Sequence, residues 1–320
     1  MKKILANDGI SIEGKEKLEK AGFTVVTDKV NQEDLIEVIN NEGYIALLVR
    51  SATTVRKDLI DACPTLKFIG RGGVGMDNID VKYAREKGII VENTPLASSQ
   101  SVAELVMGSL FALSRQTFDS YQEMPKRGDT DFKTLKKKYG KGIELKGKTL
   151  LIVGFGGIGQ ALASCALGVG MKVIAITRTS RDVKVPIQIE GVGEVYSTIT
   201  TETNLNDVLP KADFISLHIP SQSDGKEVIG KDEISKMKDG VFLVNAARGG
   251  VVDEDALIDA LNKGKIAAAA VDVFVNEPTP RKDLLSHPLV APTPHIGGAT
   301  IEGQARIGTE LADKIIEALG

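Results

Sequence analysis

The chain has 320 residues, a formal net charge of −3, 42% hydrophobic and 26% charged side chains, and two cysteines. That length supports two domains with cores of their own, and the slight acidity argues against a nucleic-acid-binding surface. Cys63 and Cys165 form no disulfide framework, no run approaches the ~20 apolar residues of a membrane span, and Met1-Lys-Lys-Ile lacks the apolar stretch of a secretion signal. A cytoplasmic protein without membrane or nucleic-acid partners is expected.

Residues 1–92 alternate short apolar runs with segments of three- and four-residue periodicity. Strands are predicted at Ile4–Ala6, Phe23–Val26, Tyr44–Val49, Lys67–Gly70 and Ile89–Val91, and helices at Ile12–Lys20, Gln32–Asn40, Lys57–Ala62 and Val81–Lys87. Gly22, Gly43 and Gly88 stand where a helix hands over to a strand. This alternation predicts a parallel sheet covered by helices. A long helical pattern follows from Ser98 to about Gln116, with Ser101 and Glu104 in capping-box spacing. Residues 125–148 read as a basic loop containing Lys136, Lys137 and Lys138.

A second strand–helix series begins at Thr149. Its predicted strands continue at Lys172–Ile176, Phe214–Leu217, Val241–Asn245 and Ala267–Val271. Its predicted helices are Ile158–Leu167, Asn206–Leu209, Asp232–Met237 and Glu254–Lys263. Residues 182–203 give no clear pattern and read as irregular, and a helix from about Thr300 to Leu319 closes the chain.

The second series opens on an apolar run ending in Gly154-Phe-Gly156-Gly157-Ile158-Gly159, a G-x-G-x-x-G turn between a predicted strand and a predicted helix. The first glycine permits a tight turn, the second lets backbone approach a pyrophosphate, and the third lets helix pack on strand. Unpaired N–H groups and the helix dipole then favour the anion. Three further segments fall just past predicted strand ends, where ligands of open α/β sheets bind. They carry Arg248, then Asp272 and Glu277, then His295. An arginine can grip a carboxylate with two donors, a histidine can exchange a proton near neutral pH, and a carboxylate can orient the imidazole ring. Three scattered histidines and two distant cysteines give no metal-ligand spacing, so no metal is expected.

At these residues the chain resembles the D-2-hydroxyacid dehydrogenase family, and most closely its phosphoglycerate dehydrogenase branch. The resemblance runs from about Leu48 to Ile315, through Val49-Arg50-Ser51-Ala-Thr, Gly70-Arg71-Gly-Gly-Val74-Gly75, Asn93-Thr-Pro95, Gly154–Gly159, Asn245–Glu254, Asp272–Pro278 and His295–Thr300. It implies two doubly wound domains: a flavodoxin-like substrate domain of residues 1–97 and 296–320, and a Rossmann dinucleotide-binding domain of residues 98–295.

The family's roles carry over to matching positions. Arg248 would bind the substrate carboxylate and also face the cofactor, Glu277 would partner the histidine, and His295 would be the acid/base beside the cofactor. Asp272 would lie next to the nicotinamide, Ala246 and Ala247 would meet the cofactor through their backbone, and Gly297 and Gly298 would stand nearby. Arg50, Ser51, Arg71, Val74 and Gly75 would meet the substrate, with Val74 also at the cofactor. Lys137 and Lys138 would reach the phosphate of a phosphorylated 2-hydroxy acid, across a homodimer built through the cofactor domains. The implied reaction is hydride transfer from C2 of 3-phosphoglycerate, the first step of serine synthesis. The chain stops after its last helix, which implies a form without serine-sensing extensions.

The cofactor is the point of departure. NAD enzymes of this fold place an acid about 20 residues after the glycines, on the ribose 2′-hydroxyl. Here Thr177 stands there, followed by Arg178 and Arg181. The family favours NAD; the local residues favour NADP, whose 2′-phosphate an arginine pairs with. Two other readings stay open: an NADPH-dependent hydroxypyruvate or glyoxylate reductase, and a dinucleotide-sensing, corepressor-like binding protein.

Overall fold

The protein is described here from a computed structural model covering residues 2–222 and 224–320. Its contacts divide the chain into two units: residues up to Ser99 with Gly298–Gly320, and Gln100–Gly297.

In the first unit five parallel strands, β1 (Lys2–Ala6), β2 (Phe23–Val26), β3 (Tyr44–Val49), β4 (Phe68–Arg71) and β5 (Ile90–Asn93), lie in the order β2-β1-β3-β4-β5. That order is flavodoxin-like. Helices α1 (Ile12–Lys20), α2 (Leu35–Glu42), α3 (Lys57–Ala62) and α4 (Val81–Glu86) connect them. Both sheet faces are covered, which is why the strands read as continuous apolar runs rather than alternating ones. Leu5, Leu47, Val49 and Ile69 pack with Leu35, Ile39 and Leu59 on one side. Ile4, Ala46, Leu48 and Phe68 pack on the other with Leu18 and with Ala312 and Ile315 from the C-terminal helix. Each fully buried large side chain contributes about 1.5–3 kcal/mol. Gly43 ends α2 in the left-handed region at φ 67°, turning the chain into β3.

The second unit begins with α5 (Ser99–Arg115), α6 (Thr117–Arg127) and α7 (Phe132–Tyr139). Its sheet uses β6 (Thr149–Val153), β7 (Lys172–Ile176), β10 (Phe214–Leu217), β11 (Val241–Asn245), β12 (Ile266–Val271) and β13 (Val290–Pro292). All are parallel, in the order β13-β12-β11-β10-β6-β7. Connections run through α8 (Gly157–Gly168), the hairpin β8 (Asp182–Ile189) and β9 (Gly193–Thr200), α9 (Leu205–Val208), α10 (Lys231–Lys236), α11 (Glu254–Asn262) and α12 (Lys282–Leu285); α13 (Ile301–Leu319) is the C-terminal helix. Leu150, Ile152 and Phe214 pack under Val106, Leu110 and Leu113 of α5, and Leu151, Val153, Ile215 and Leu243 pack on the other face. The chain departs in opposite directions from β6, to β7 on one side and β10 on the other, so the carboxyl end of β6 is a topological switch point.

Three sequence expectations are corrected. Residues 182–203 are not irregular: β8 and β9 pair antiparallel over eight positions from Asp182↔Thr200 to Ile189↔Gly193. Val183, Val185, Val195 and Ile199 face inward, and Pro186, which argues against a strand, is accommodated on this two-stranded ribbon. The basic stretch after Pro125 is not a loop. Pro125 closes the last turn of α6, and the lysine-rich α7 is anchored by Leu135, its single buried residue; lysine is a good helix former. Finally, α5 starts at Ser99, so Ser101 lies inside its first turn and is not the cap.

Candidate active site

The glycine turn is explained by what a side chain would meet. A Cβ on Gly154, which has φ 98°, would stand 2.3 Å from the His218 carbonyl oxygen, and one on Gly159 would stand 2.3 Å from that of Gly154. Both positions are closed by the protein itself. A Cβ on Gly156 would meet nothing within 4 Å. The protein does not require that glycine, and the space beside it is open for a ligand. Gly156 caps α8 without any side-chain hydrogen bond, so the N–H groups of Gly157, Ile158 and Gly159 start the helix without a side-chain acceptor. Space and donors together suit a pyrophosphate.

His218 follows β10, beside the turn. Its N–H donates to Val153 O at 2.7 Å, and its Nε2 lies 2.8 Å from Ser216 Oγ. Its Nδ1 is buried with no partner among the described residues. Burial pushes its pKa down to about 4, so the ring is neutral near pH 7.

Past β7, Thr177 ends the strand at the position expected of an acid. Its Oγ1 lies 2.7 Å from Thr201 Oγ1, which accepts the Arg181 N–H at 3.0 Å, while Ser180 Oγ donates to Thr201 O at 2.7 Å. The buried Thr201 thus ties residues 177–181 into a compact turn. Arg181 reaches back over the glycine turn, where its Nη2 donates to Phe155 O at 3.4 Å. Arg178 is exposed and makes no hydrogen bond or ion pair among the described residues.

The carboxyl ends of β11, β12 and β13 carry the other candidate groups. After β11, Asn245 folds the chain: its Nδ2 donates to Arg248 O at 3.1 Å and its Oδ1 accepts the Ala247 N–H at 3.1 Å. Arg248 Nη1 donates to Ala247 O at 2.7 Å. Only glycine fits at 249, because a Cβ there would lie 2.0 Å from Phe274 O. This close approach sets the Ala246–Arg248 segment against the segment after β12. In that segment Glu277 Oε1 accepts the Phe274 N–H at 2.9 Å, and Oε2 lies 2.7 Å from His295 Nδ1. The His295 side chain is 42% exposed, and its Nε2 makes no hydrogen bond among the described residues. His295 is held at φ 54°, the left-handed region that few non-glycine residues adopt. Asp272 is 4% exposed. Its Oδ1 accepts from Thr293 Oγ1 at 2.6 Å and the Ile296 N–H at 2.9 Å, and its Oδ2 accepts the Gly297 N–H at 2.8 Å.

In the first unit, Arg50 and Ser51 follow β3, and Arg71, Val74 and Gly75 lie at or after the end of β4. Asp8 holds the 50–53 loop: Oδ2 accepts the N–H groups of Arg50 at 2.7 Å and Thr53 at 3.0 Å, and Oδ1 accepts from Thr53 Oγ1 at 2.7 Å and from Lys29. Burial pushes the Asp8 carboxyl up, but the Lys29 ammonium and the donors from Arg50 and Thr53 outweigh it, leaving the pKa lowered. The Arg50 guanidinium makes no hydrogen bond or ion pair among the described residues. It lines a cavity of about 260 Å³ with Asp8, Ser11, Gly72 and Gln304. Arg71 turns its Nη1 onto Gly72 O at 3.1 Å, and Val74 O accepts from Asn93 Nδ2 at 2.6 Å. Gly298 accepts the Gln304 amide at 2.9 Å through its carbonyl. Of the basic run on α7, Lys137 is exposed, whereas Lys138 is spent on Asp119 at 2.5 Å.

The structure therefore brings Glu277 and His295 into direct contact and packs the Arg248 segment beside theirs. It also shows supports that the sequence did not announce: Asn245 under Arg248, Thr293 and Asp272 under His295, and Asp8 under Arg50. Among the described residues no group of three His, Cys, Asp or Glu is placed to hold a metal, and no helix is long and apolar enough to cross a membrane.

A doubly wound fold with a dinucleotide turn, and an Arg, Glu and His on adjoining strand ends, defines a nicotinamide-dependent oxidoreductase class. Residues 107–297 match the model of the D-isomer specific 2-hydroxyacid dehydrogenase NAD binding domain. The chain belongs to the D-2-hydroxyacid dehydrogenase family. It is 41% identical over 322 residues to a hydroxypyruvate reductase of Thermotoga maritima, covering 99% of this chain and 98% of that one. It is 42% identical over 320 residues to a D-3-phosphoglycerate dehydrogenase of Methanocaldococcus jannaschii, covering all of this chain but 58% of the relative. Its structure is similar, at TM-score 0.77 and 27% identity, to an NADPH-dependent glyoxylate/hydroxypyruvate reductase of Sinorhizobium meliloti in complex with NADP and malonate, covering 100% and 94% of the two chains.

Proposed function

We propose that this protein oxidises 3-phosphoglycerate at C2 to 3-phosphohydroxypyruvate, with residues up to 97 and from 296 as the substrate domain and the remainder as the cofactor domain. The observation that carries the phosphorylated substrate is Arg50, a guanidinium with no partner among the described residues, on a cavity at a strand end. A permanent cation left unpaired suits a phosphate.

The open space at Gly156 fits a dinucleotide, with Gly154, Gly157, Ile158 and Gly159 around the pyrophosphate and Ala246, Ala247, Gly297 and Gly298 along the nicotinamide half. Once bound, the nicotinamide supplies the hydride acceptor or donor. His295 supplies the proton chemistry. With Nδ1 hydrogen-bonded to Glu277, the neutral ring keeps its proton on Nδ1 and its lone pair on Nε2. Nε2 takes the C2 hydroxyl proton as the C2–H electron pair leaves, and the carbonyl forms. In reverse it returns that proton to the oxygen. Glu277 holds the ring angle and stabilises the imidazolium, and Arg248 grips the substrate carboxylate. A positioned acid/base of this kind is worth about 10²–10⁴ in rate.

Two observations favour second readings. Lys138 is engaged by Asp119, which weakens the phosphate-binding run and favours a hydroxypyruvate reductase. Thr177 and the inward-reaching Arg181 remove the acid that NAD enzymes use and offer a cation, which favours NADP over the family's NAD. A homodimer through the second unit fits α6, which has no buried residue yet carries the exposed Tyr121 and Met124. The deciding experiment compares kcat/KM for 3-phosphohydroxypyruvate and hydroxypyruvate, each with NADH and NADPH. A large preference for the phosphorylated acid, lost in Arg50→Ala, is the expected result. Equal or better use of hydroxypyruvate overturns the assignment.

A further inference from the structure

Asp272 is the buried carboxylate that the proposed chemistry leaves without a step of its own. We infer that Asp272 is a positioning residue: its carboxylate fixes the backbone of residues 293–297, and through it the place and angle of the His295 ring. The inference rests on reading His295 as the acid/base.

Three hydrogen bonds carry it. Oδ1 accepts from Thr293 Oγ1 and from the Ile296 N–H, and Oδ2 accepts from the Gly297 N–H, at 2.6, 2.9 and 2.8 Å. The bonded residues flank His295 on both sides, two before it and one and two after. His295 itself stands at φ 54°, and its N–H turns onto Thr293 O at 3.0 Å. A left-handed histidine costs of order 1 kcal/mol or more and persists only where its surroundings over-determine it. Both carboxylate oxygens are engaged in doing so. Gly297 belongs to the same device, since a Cβ there would come within 3.0 Å of Asp272 Oδ2.

The ring is fixed separately. Glu277 reaches Nδ1 from the same connection, after β12, and is itself oriented by the Phe274 N–H. Asp272 therefore controls the backbone from which the ring hangs, and Glu277 controls its rotation. Two carboxylates five residues apart hold one imidazole by different handles. A misplacement of about 1 Å at a reacting group costs on the order of 10²-fold in rate, so loosening the backbone handle should appear in kcat with the ring and its partner both intact. A carboxylate acting on the bound nicotinamide would instead appear in dinucleotide affinity.

The test uses the full-length protein with Asp272→Asn and Thr293→Val. The amide of Asp272→Asn presents a donor to one of the facing donors; Thr293→Val deletes one bond and leaves two. In the cofactor-free protein, amide hydrogen exchange at Ile296 and Gly297 should speed up by tenfold or more in Asp272→Asn and by less in Thr293→Val. With cofactor and substrate saturating, kcat should fall roughly 10–100-fold and several-fold respectively. Dinucleotide Kd, read by fluorescence, should move less than threefold. Unchanged exchange, or a Kd that rises by the factor kcat/KM falls while saturated kcat holds, overturns the inference. If Asp272→Asn does not fold, Thr293→Val decides it alone by the same exchange and kcat readouts. His295→Ala separates the two levels: if that variant keeps full turnover, the acid/base reading fails, and the exchange result still stands or falls by itself.

Discussion

Each unit ends a strand or its neighbouring turn with a buried aspartate that ties down a loop belonging to another strand. In the first unit Asp8, after β1, holds residues 50–53 after β3; in the second, Asp272, after β12, holds residues 293–297 after β13. The donors are alike, two backbone N–H groups and one threonine hydroxyl in each case. The difference is the cation: Asp8 also takes the Lys29 ammonium, whereas the hydrogen bonds to Asp272 come from neutral donors. The loops differ in what they must deliver. The first presents a permanent charge, Arg50, on a long flexible stem; the second presents an imidazole that must meet a proton at a set angle. The same device thus serves chiefly stability and placement of charge in one unit, and alignment in the other.

Several changes would break or sharpen that contrast. The largest effect is expected from His295→Ala, with kcat reduced about 10²–10⁴-fold and dinucleotide binding retained, measured by steady-state kinetics and fluorescence titration. That loss is the ceiling for Asp272→Asn, since a loosened ring cannot cost more than an absent one. Next, His218→Gln should flatten acid sensitivity. The folded pKa of His218, about 4, lies below the ordinary 6.5, so between those values the unfolded chain binds a proton that the native ring refuses. Stability from this group is complete above about 6.5, declines as pH falls toward 4, and totals on the order of 3 kcal/mol. Urea unfolding at pH 7 and pH 4.5 would show a difference in wild type that the variant lacks.

Asp8→Asn should cost about 1–3 kcal/mol by leaving buried donors unsatisfied, and should change kcat far less than Asp272→Asn does. Equal kcat losses at both sites would erase the distinction drawn between the two loops. The sign of its pH dependence is fixed by its lowered pKa: the contribution is present above the ordinary carboxylate value near 3.8 and is lost as pH falls through the lower folded value. The smallest effect belongs to Lys138→Met, which removes a half-exposed pair with Asp119 worth less than about 1 kcal/mol. A strong kcat/KM loss on phosphorylated substrate in that variant would show that Lys138 leaves Asp119 when substrate arrives.

All but one of the strands of the two main sheets were legible because helices cover both faces, and runs such as Ile-Ala-Leu-Leu-Val at 45–49 carry that burial in their composition. The dinucleotide turn was legible because its three glycines stand between strand and helix. Arg248, Glu277 and His295 were reached through ordered motifs, and the structure adds the 2.7 Å contact between Glu277 and His295. What stayed hidden has common causes. Pro125 and Pro186 sit inside elements that a proline ordinarily argues against, so α6 and β8 were missed. β13 and α12 are three and four residues long, too short for periodicity to register. The two aspartate clamps were invisible because most of their donors are backbone N–H groups, which every residue but proline possesses and no sequence pattern marks.

The β8–β9 ribbon stands where a connecting helix is usual between the second strand and the next sheet position, which Glu202 fills by pairing with Ile176. Its two strands satisfy each other, and its tip, around Glu190-Gly191-Val192, is exposed. The segment leaves and re-enters the sheet at nearby points, packs on the domain through Val185 and Ile199, and leaves its tip outside. It is a natural place for grafting: a fluorophore, epitope or short peptide inserted at Gly191 would ride on the protein's surface without interrupting any strand of the main sheet.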